Sequence, residues 1–176
     1  MLVLQFPLEI KAGYLYPTNH VLREIYHNGG ATAQVEAGVN FYDYTAISFN
    51  GQFFNRHGTA LNSSYRTSID LNSVAFLVKG FLFSSFHLKY YIGVGPRWLF
   101  FKTLDHSPSV QPIVKKNQVG ASLSMGLQIF AWNFFFDPFV EYFVAPIAHF
   151  SSNVSSFRYD CNLDYWTFGM GVGYQF

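Results

Sequence analysis

The chain has 176 residues, room for one domain. Aromatic residues make up 20% of it and charged residues only 12%, too few to give a soluble domain its charged skin. A net charge of +1 argues against a nucleic-acid-binding field, a single Cys rules out an internal disulfide or a multi-thiolate metal site, and a hydrophobic content of 50% excludes disorder.

A membrane is the environment this composition suits. A mean hydropathy of +0.13 is too low for a helical bundle, which leaves a closed barrel as the way to satisfy every backbone hydrogen bond in lipid. The sequence then reads as eight runs of period two. Leu4, Phe6, Leu8, Ile10, Ala12, Tyr14 and Tyr16 alternate with Gln5, Pro7, Glu9, Lys11 and Gly13. Val35, Ala37, Val39 and Phe41 follow, against Gln34, Glu36, Gly38 and Asn40. Ile47, Phe49 and Phe53 stand against Ser48, Asn50, Gln52 and Arg56. The fourth run, Tyr65 to Lys79, has Arg66, Ser68, Asp70 and Asn72 on one face. A bulge near Ser73 is expected there, to bring Ala75, Leu77 and Lys79 inside.

In the fifth run Leu88, Tyr90, Ile92, Val94, Pro96, Trp98 and Phe100 alternate with Lys89, Tyr91, Gly93, Gly95 and Arg97. Asn117 to Phe136 is uncharged and long enough to span as a helix, but Gly120, Ser122, Ser124, Gly126 and Gln128 alternate with Val119, Ala121, Leu123, Met125, Leu127 and Ile129, which makes it a strand. Phe136, Pro138, Val140, Tyr142 and Val144 then oppose Asp137, Phe139, Glu141 and Phe143. Finally Trp166, Phe168, Met170, Val172, Tyr174 and Phe176 oppose Thr167, Gly169, Gly171, Gly173 and Gln175.

Eight strands predict an all-β, antiparallel, up-and-down transmembrane barrel over residues 1–176, a single outer-membrane domain. The connections alternate in length. Pro17–Gly30, His57–Ser64, Lys102–Gln118 and Ile147–Asp160 are long; Asp43–Tyr44 and Trp132–Asn133 are tight; Gly80–Phe86 is intermediate. Such barrels have short periplasmic turns, so both termini are expected on the periplasmic side.

The charges assign the faces. Glu9, Lys11, Glu36, Arg56, Arg66, Asp70, Lys79, Lys89, Arg97, Asp137 and Glu141 all take the non-lipid parity, six bases against five acids. A narrow eight-stranded interior is filled by side chains, so these charges are expected to pair as a network that plugs the lumen; a narrow porin-like channel is the alternative. Tyr14, Tyr16, Trp98, Phe100 and Trp166 predict one aromatic girdle, and Tyr90, Tyr174 and Phe176 the other. Glycine and polar residues are expected to fill the lumen.

The closing segment Gly169-Met170-Gly171-Val172-Gly173-Tyr174-Gln175-Phe176 resembles the last strand of Gram-negative outer-membrane proteins, whose terminal Phe is read by the barrel-assembly machinery. With Lys11-Ala12-Gly13-Tyr14-Leu15-Tyr16-Pro17 at the start, the whole chain resembles the small OmpX/OmpA/OmpW-type eight-stranded barrels. That resemblance implies outer-membrane lipids and lipopolysaccharide as partners, no nucleic acid, no cofactor and a monomer. Met1 leads directly into the first strand, and a signal peptide trimmed or processed away is expected.

Candidate chemistry is sparse. His20, His27, His57, His106 and His149 fall in or beside the long connections, without metal-ligand spacing on a helix. Thr18–Gly30 can form a helical turn with Val21, Leu22 and Ile25 on one side, and Cys161 reads as a small spacer. His149-Phe150-Ser151 with Asp164 resembles the His-X-Ser pair and acid of outer-membrane lipid A deacylases. That likeness implies Ser151 as nucleophile, His149 as base and Asp164 as orienting acid. Parity from Val140 and Tyr142 aims His149 and Ser151 inward, whereas a lipid-cleaving pair faces the bilayer. The expectation is therefore a non-enzymatic barrel serving envelope structure, surface interaction or adhesion.

Overall fold

The computed structural model describes residues 4–41, 44–59, 65–85, 87–105, 113–145, 148–151 and 158–176. In chain order its elements are β1 (Leu4–Gln5), β2 (Pro7–Pro17), α1 (His20–Ile25), β3 (Gly30–Phe41), β4 (Thr45–Thr59), β5 (Arg66–Ser84), β6 (Leu88–Asp105), β7 (Ile113–Ala131), β8 (Phe134–Val144), β9 (Ala148–Ser151), β10 (Arg158–Cys161) and β11 (Tyr165–Gln175). Strands β2 to β8 pair in sequence order, β11 pairs with both β8 and β2, and every pairing is antiparallel. The sheet therefore closes on itself as an eight-stranded up-and-down barrel, with unpaired edges where β4 and β7 rise past β3 and β8.

The closure runs to the chain end. Phe6 and Phe176 exchange backbone hydrogen bonds at 3.3 and 3.2 Å beyond the β2–β11 ladder. β1 continues the first stave below Phe6 and pairs with the end of β3. At the same end Ala131 pairs with Phe134 across the two-residue turn Trp132–Asn133, where Trp132 takes a left-handed φ of 58°. Asp43 of the other tight turn lies outside the described residues.

Alternation along each strand separates two faces. Outward residues include Ile10, Val35, Phe49, Val78, Val94, Leu123, Phe136 and Val172, all exposed. Charges and amides lie inside: Glu9, Lys11, Gln34, Glu36, Asn50, Gln52, Lys79, Lys89, Arg97, Asp137 and Glu141 are buried. This is the reverse of a soluble barrel, and it needs a solvent for the outer face that is not water.

The wall is uneven in height. β8 and β11 have 11 residues each, enough to cross a bilayer when tilted, whereas β5 and β7 have 19 each and rise well beyond. Much of the expected loop Lys102–Gln118 is therefore strand, and Gly80–Ser84 extends β5 at the other end.

The extension also corrects the fourth run. The β5–β6 register is continuous through Ser73, and its one shift falls between Phe81 and Phe83. The inward residues of β5 run Thr67, Ile69, Leu71, Ser73, Ala75, Leu77 and Lys79 without a slip. Arg66 and Asp70 thus face outward, not into the lumen, and Arg66 is exposed. Beyond the apolar band the outside of the wall is polar, so the change read as a bulge is a change of surroundings along a regular strand. There the inside turns apolar as well. Leu15, Phe54, Ile69, Leu71, Leu99, Phe101, Phe143 and Tyr165 form one core with Leu22 and Tyr26, which α1 and its C-cap lay into the mouth. Asn19 caps α1, its side chain accepting from the Val21 N–H at 2.9 Å.

Candidate functional site

Seven of the charged residues, Glu9, Lys11, Glu36, Lys79, Arg97, Asp137 and Glu141, converge in the lumen between the apolar mouth and a smaller apolar cluster of Ala46, Phe81 and Tyr91. Lys11 is the hub. Its Nζ lies 3.3 Å from Glu9 Oε2, 3.1 Å from Glu36 Oε2 and 3.1 Å from Asp137 Oδ2. Lys79 pairs with Glu36 from the opposite side. Tyr91 donates its hydroxyl to Asp137 Oδ2 at 2.7 Å, and its ring lies 4.3 Å below the Lys79 ammonium. Lys11 also lies 4.8 Å over the Phe139 ring.

A second group surrounds Arg97, which has no solvent exposure. Its guanidinium pairs with Glu141 and donates to Gln52 Oε1 at 2.6 Å, Ser73 Oγ at 2.9 Å and Asn50 Oδ1 at 3.1 Å. Ser122 donates to the same Glu141 oxygen, and Tyr165 donates to Gln52 Oε1 at 2.9 Å. Asn50 joins the two groups, because its amide also donates to Gln34 Oε1 at 2.9 Å and Glu36 Oε2 at 3.4 Å. The result is one polar belt with members on all eight staves, β2 to β8 and β11.

Among the described residues four acids (Glu9, Glu36, Asp137, Glu141) and four bases (Lys11, Lys79, Lys89, Arg97) are buried within the lumen, equal in number, and Asp164 is buried at the mouth. Lys89 sits apart toward the chain termini, over the Phe81 and Phe130 rings at 5.5 and 5.3 Å. Arg56 keeps inward parity but is only half-buried, beside Gly30 near the mouth. Inward glycines leave room for the large groups: a Cβ on Gly171 would stand 1.9 Å from Glu9 Oε1, and one on Gly126 2.5 Å from the Tyr91 hydroxyl. Small voids lie beside the belt and in the mouth. One, lined by Glu9, Glu36, Ser48 and Lys79, is about 10 Å³, and another under α1, lined by Leu22, Tyr26 and Ile69, is about 10 Å³. Each has room for about one water.

The lumen departs from the sequence expectation in its aromatics. Phe54, Phe81, Tyr91, Phe101, Phe135, Phe139, Phe143 and Tyr165 all point inward and are buried, so glycine and polar residues are only part of the filling. Tyr91, Gln34, Asn50, Gln52, Ser122 and Tyr165 also belong to the belt, although no charge marks them in the sequence. Their inward parity was the available signal; what they bond to depends on the register.

The outward aromatics gather in two groups. Tyr142 stacks on Trp166 at 4.4 Å and Trp166 on Phe168 at 6.0 Å, with Tyr16 opposite Trp166 in register. Near the termini Tyr174 packs on Phe134 at 5.0 Å and on Phe176 at 4.7 Å. Tyr14, Trp98 and Phe100 are exposed on the same outer face, and Tyr90 is exposed beside Met125. Arg23 of α1 donates to the Tyr16 hydroxyl at 2.6 Å.

His149 and Ser151 lie on β9, paired with Asp160 and Arg158 of β10 in a separate two-stranded hairpin. Their side chains, that of Cys161, and all of His106 lie outside the described residues. Asp164 is engaged elsewhere: its carboxylate accepts from the Ala145 N–H at 2.6 Å, the Asn162 amide at 2.6 Å and the Tyr142 hydroxyl at 3.4 Å. Its carbonyl accepts from the Thr18 N–H at 2.9 Å. These bonds tie the β8–β11 connection to the start of the α1 segment, a structural use of the acid.

The closed eight-stranded ladder decides the comparison. The fold is that of the small outer-membrane β-barrels. A major outer membrane protein of Thermus thermophilus superposes with a TM-score of 0.69 at 12% identity, over 99% of this chain and 100% of that one. Outer Membrane Protein W of E. coli gives 0.65 at 14% identity, covering 98% and 97%. Ail, the attachment invasion locus protein of Yersinia pestis, solved with the heparin analogue sucrose octasulfate, gives 0.62 at 13%, covering 98% and 99%. No protein-family model and no curated protein matches the sequence.

Proposed function

We propose that the chain is an integral outer-membrane barrel whose lumen is closed by its own side chains. It acts through envelope structure and through the surface at the α1 end, not through a pore or a catalytic site. The observation that carries this reading is the ion-paired belt around Lys11 and Arg97, capped by the apolar mouth. A hydrated channel needs continuous space past these side chains, and the void beside Glu9, Glu36 and Lys79 holds about one water. The outward apolar band supports the membrane reading, and the location of the similar barrels in bacterial outer membranes supports that compartment.

In this reading the termini are periplasmic, the partners are outer-membrane lipids and lipopolysaccharide, and the strand ending at Phe176 is presented to the barrel-assembly machinery. The protein works as a monomer. Ail is named for attachment and invasion, which supports a surface-interaction role for the connections at the α1 end. The test is planar-bilayer conductance of the refolded protein. Electrical silence is expected, and a steady ion current would refute the closed lumen. A change in lipid A mass on expression would instead establish a hydrolase.

A further inference from the structure

Strands β4 to β7 rise above the apolar band with their residues in register. Phe53, Asn72, Phe100 and Asn117 form one cross-strand row; Asn55, Asp70, Lys102 and Lys115 form the next. Both rows point outward by strand parity. Successive outward residues of a strand are about 6.6–6.8 Å apart, so the second row stands one step above the Phe53 and Phe100 rings, with Trp98 one step below them. It is the first row on this face to carry charge.

Its charges are poorly arranged for an isolated strand pair. Lys102 and Lys115 are directly opposite each other on β6 and β7. Directly opposed residues have Cβ atoms about 4.5–5.5 Å apart, and like charges there repel. Asp70, on the far side of Lys102, takes a hydrogen bond from Asn55. The row therefore holds two cations and one anion. An anion held between the two ammonium groups turns the repulsion into attraction. Depth selects the anion: immediately above an apolar band edged by Phe and Trp lie the headgroup phosphates of the surrounding lipid.

We infer that Lys102 and Lys115 form a two-pronged clamp for the phosphate monoester of a lipid headgroup, in the leaflet at the α1 end of the barrel. This rests on the membrane-spanning reading. A phosphate monoester carries about −1.5 to −2 charges at neutral pH, enough to neutralise both prongs. Lys115 is exposed and Lys102 half-exposed, so both can reach a headgroup beside the wall.

The experiment uses Trp98 as reporter in a Trp132→Phe/Trp166→Phe background, refolded into phosphatidylcholine vesicles and titrated with brominated-chain phosphatidic acid. Selective quenching of Trp98 is expected at low mole fraction. At about 1 kcal/mol per lysine near a membrane surface, Lys102→Gln/Lys115→Gln should weaken the apparent affinity about 30-fold. Lys115→Glu, which removes the repulsion, should unfold later than the parent in plain phosphatidylcholine and lose the selectivity. Equal titrations of the parent and the double Gln variant would overturn the clamp. So would displacement of the brominated lipid by millimolar inorganic phosphate, which would assign the pair to soluble phosphate. Quenching by brominated phosphatidylcholine without preference for phosphatidic acid refutes the clamp alone. Absence of any quenching by brominated lipid refutes the membrane reading and the clamp with it.

Discussion

Glu141→Gln tests the closed lumen. Glu141 is buried on β8 and holds the guanidinium of Arg97, which has no solvent exposure. The substitution keeps the shape and removes the charge, leaving a buried cation without its carboxylate. Breaking a buried pair from one side costs about 3–5 kcal/mol. Arg97 keeps three neutral acceptors, Gln52, Ser73 and Asn50, at 2.6, 2.9 and 3.1 Å, which places the expected loss near the lower limit. A destabilisation of about 3 kcal/mol corresponds to about 6–12 °C in a domain of this size. In a water-filled lumen the orphaned guanidinium would be hydrated and the cost would fall to about 0–1 kcal/mol. The assay is urea unfolding of the protein refolded in lipid vesicles, followed by tryptophan fluorescence, with conductance measured on the same preparation. Because the two charges share one bond, Arg97→Gln added to Glu141→Gln should cost less than the sum of the single changes. A stability change below about 1 kcal/mol, together with a current whose selectivity shifts toward anions, would refute the reasoning.

Further outcomes follow from the two faces and the mouth. Val94 is 57% exposed on the lipid-facing side, so Val94→Arg should block assembly or cost about 2–4 kcal/mol near the midplane, read from folded yield in vesicles. Gly171→Ala would place a Cβ 1.9 Å from Glu9 Oε1 and should destabilise by about 1–3 kcal/mol, whereas Gly80→Ala, with nothing within 4 Å of its Cβ, should leave the unfolding midpoint unchanged. Tyr26→Ala removes an aromatic ring from the mouth core and should cost about 3–5 kcal/mol in urea unfolding while the barrel stays electrically silent, because the belt below is untouched. Protease added to intact cells should cut only in the connections after β2, β4, β6 and β8; cleavage at Trp132–Asn133 from outside would invert the topology.

Period-two alternation is a property of the extended backbone, so the number of staves, their order and the outward face were legible before any contact was known. Glu9, Lys11, Glu36, Lys79, Lys89, Arg97, Asp137 and Glu141 could be placed inside by parity alone, since a charge on the opposite face of the same strand would meet lipid. Parity says which side of the wall a residue occupies and nothing about its height or its partner across the lumen. That Lys11 gathers three carboxylates from β2, β3 and β8, and that Arg97 reaches Glu141 while Asn50 ties the two groups together, follows from the register and curvature of the closed wall. Arg66 and Asp70 show the same limit. Their strand keeps its alternation from Arg66 to Phe81, but above the apolar band the polar residues face outward and Ile69 and Leu71 turn in against α1. A residue pattern records only the contrast between two faces. Which face meets lipid, water or the core at a given height is decided by how far each strand rises, and only the folded barrel sets that.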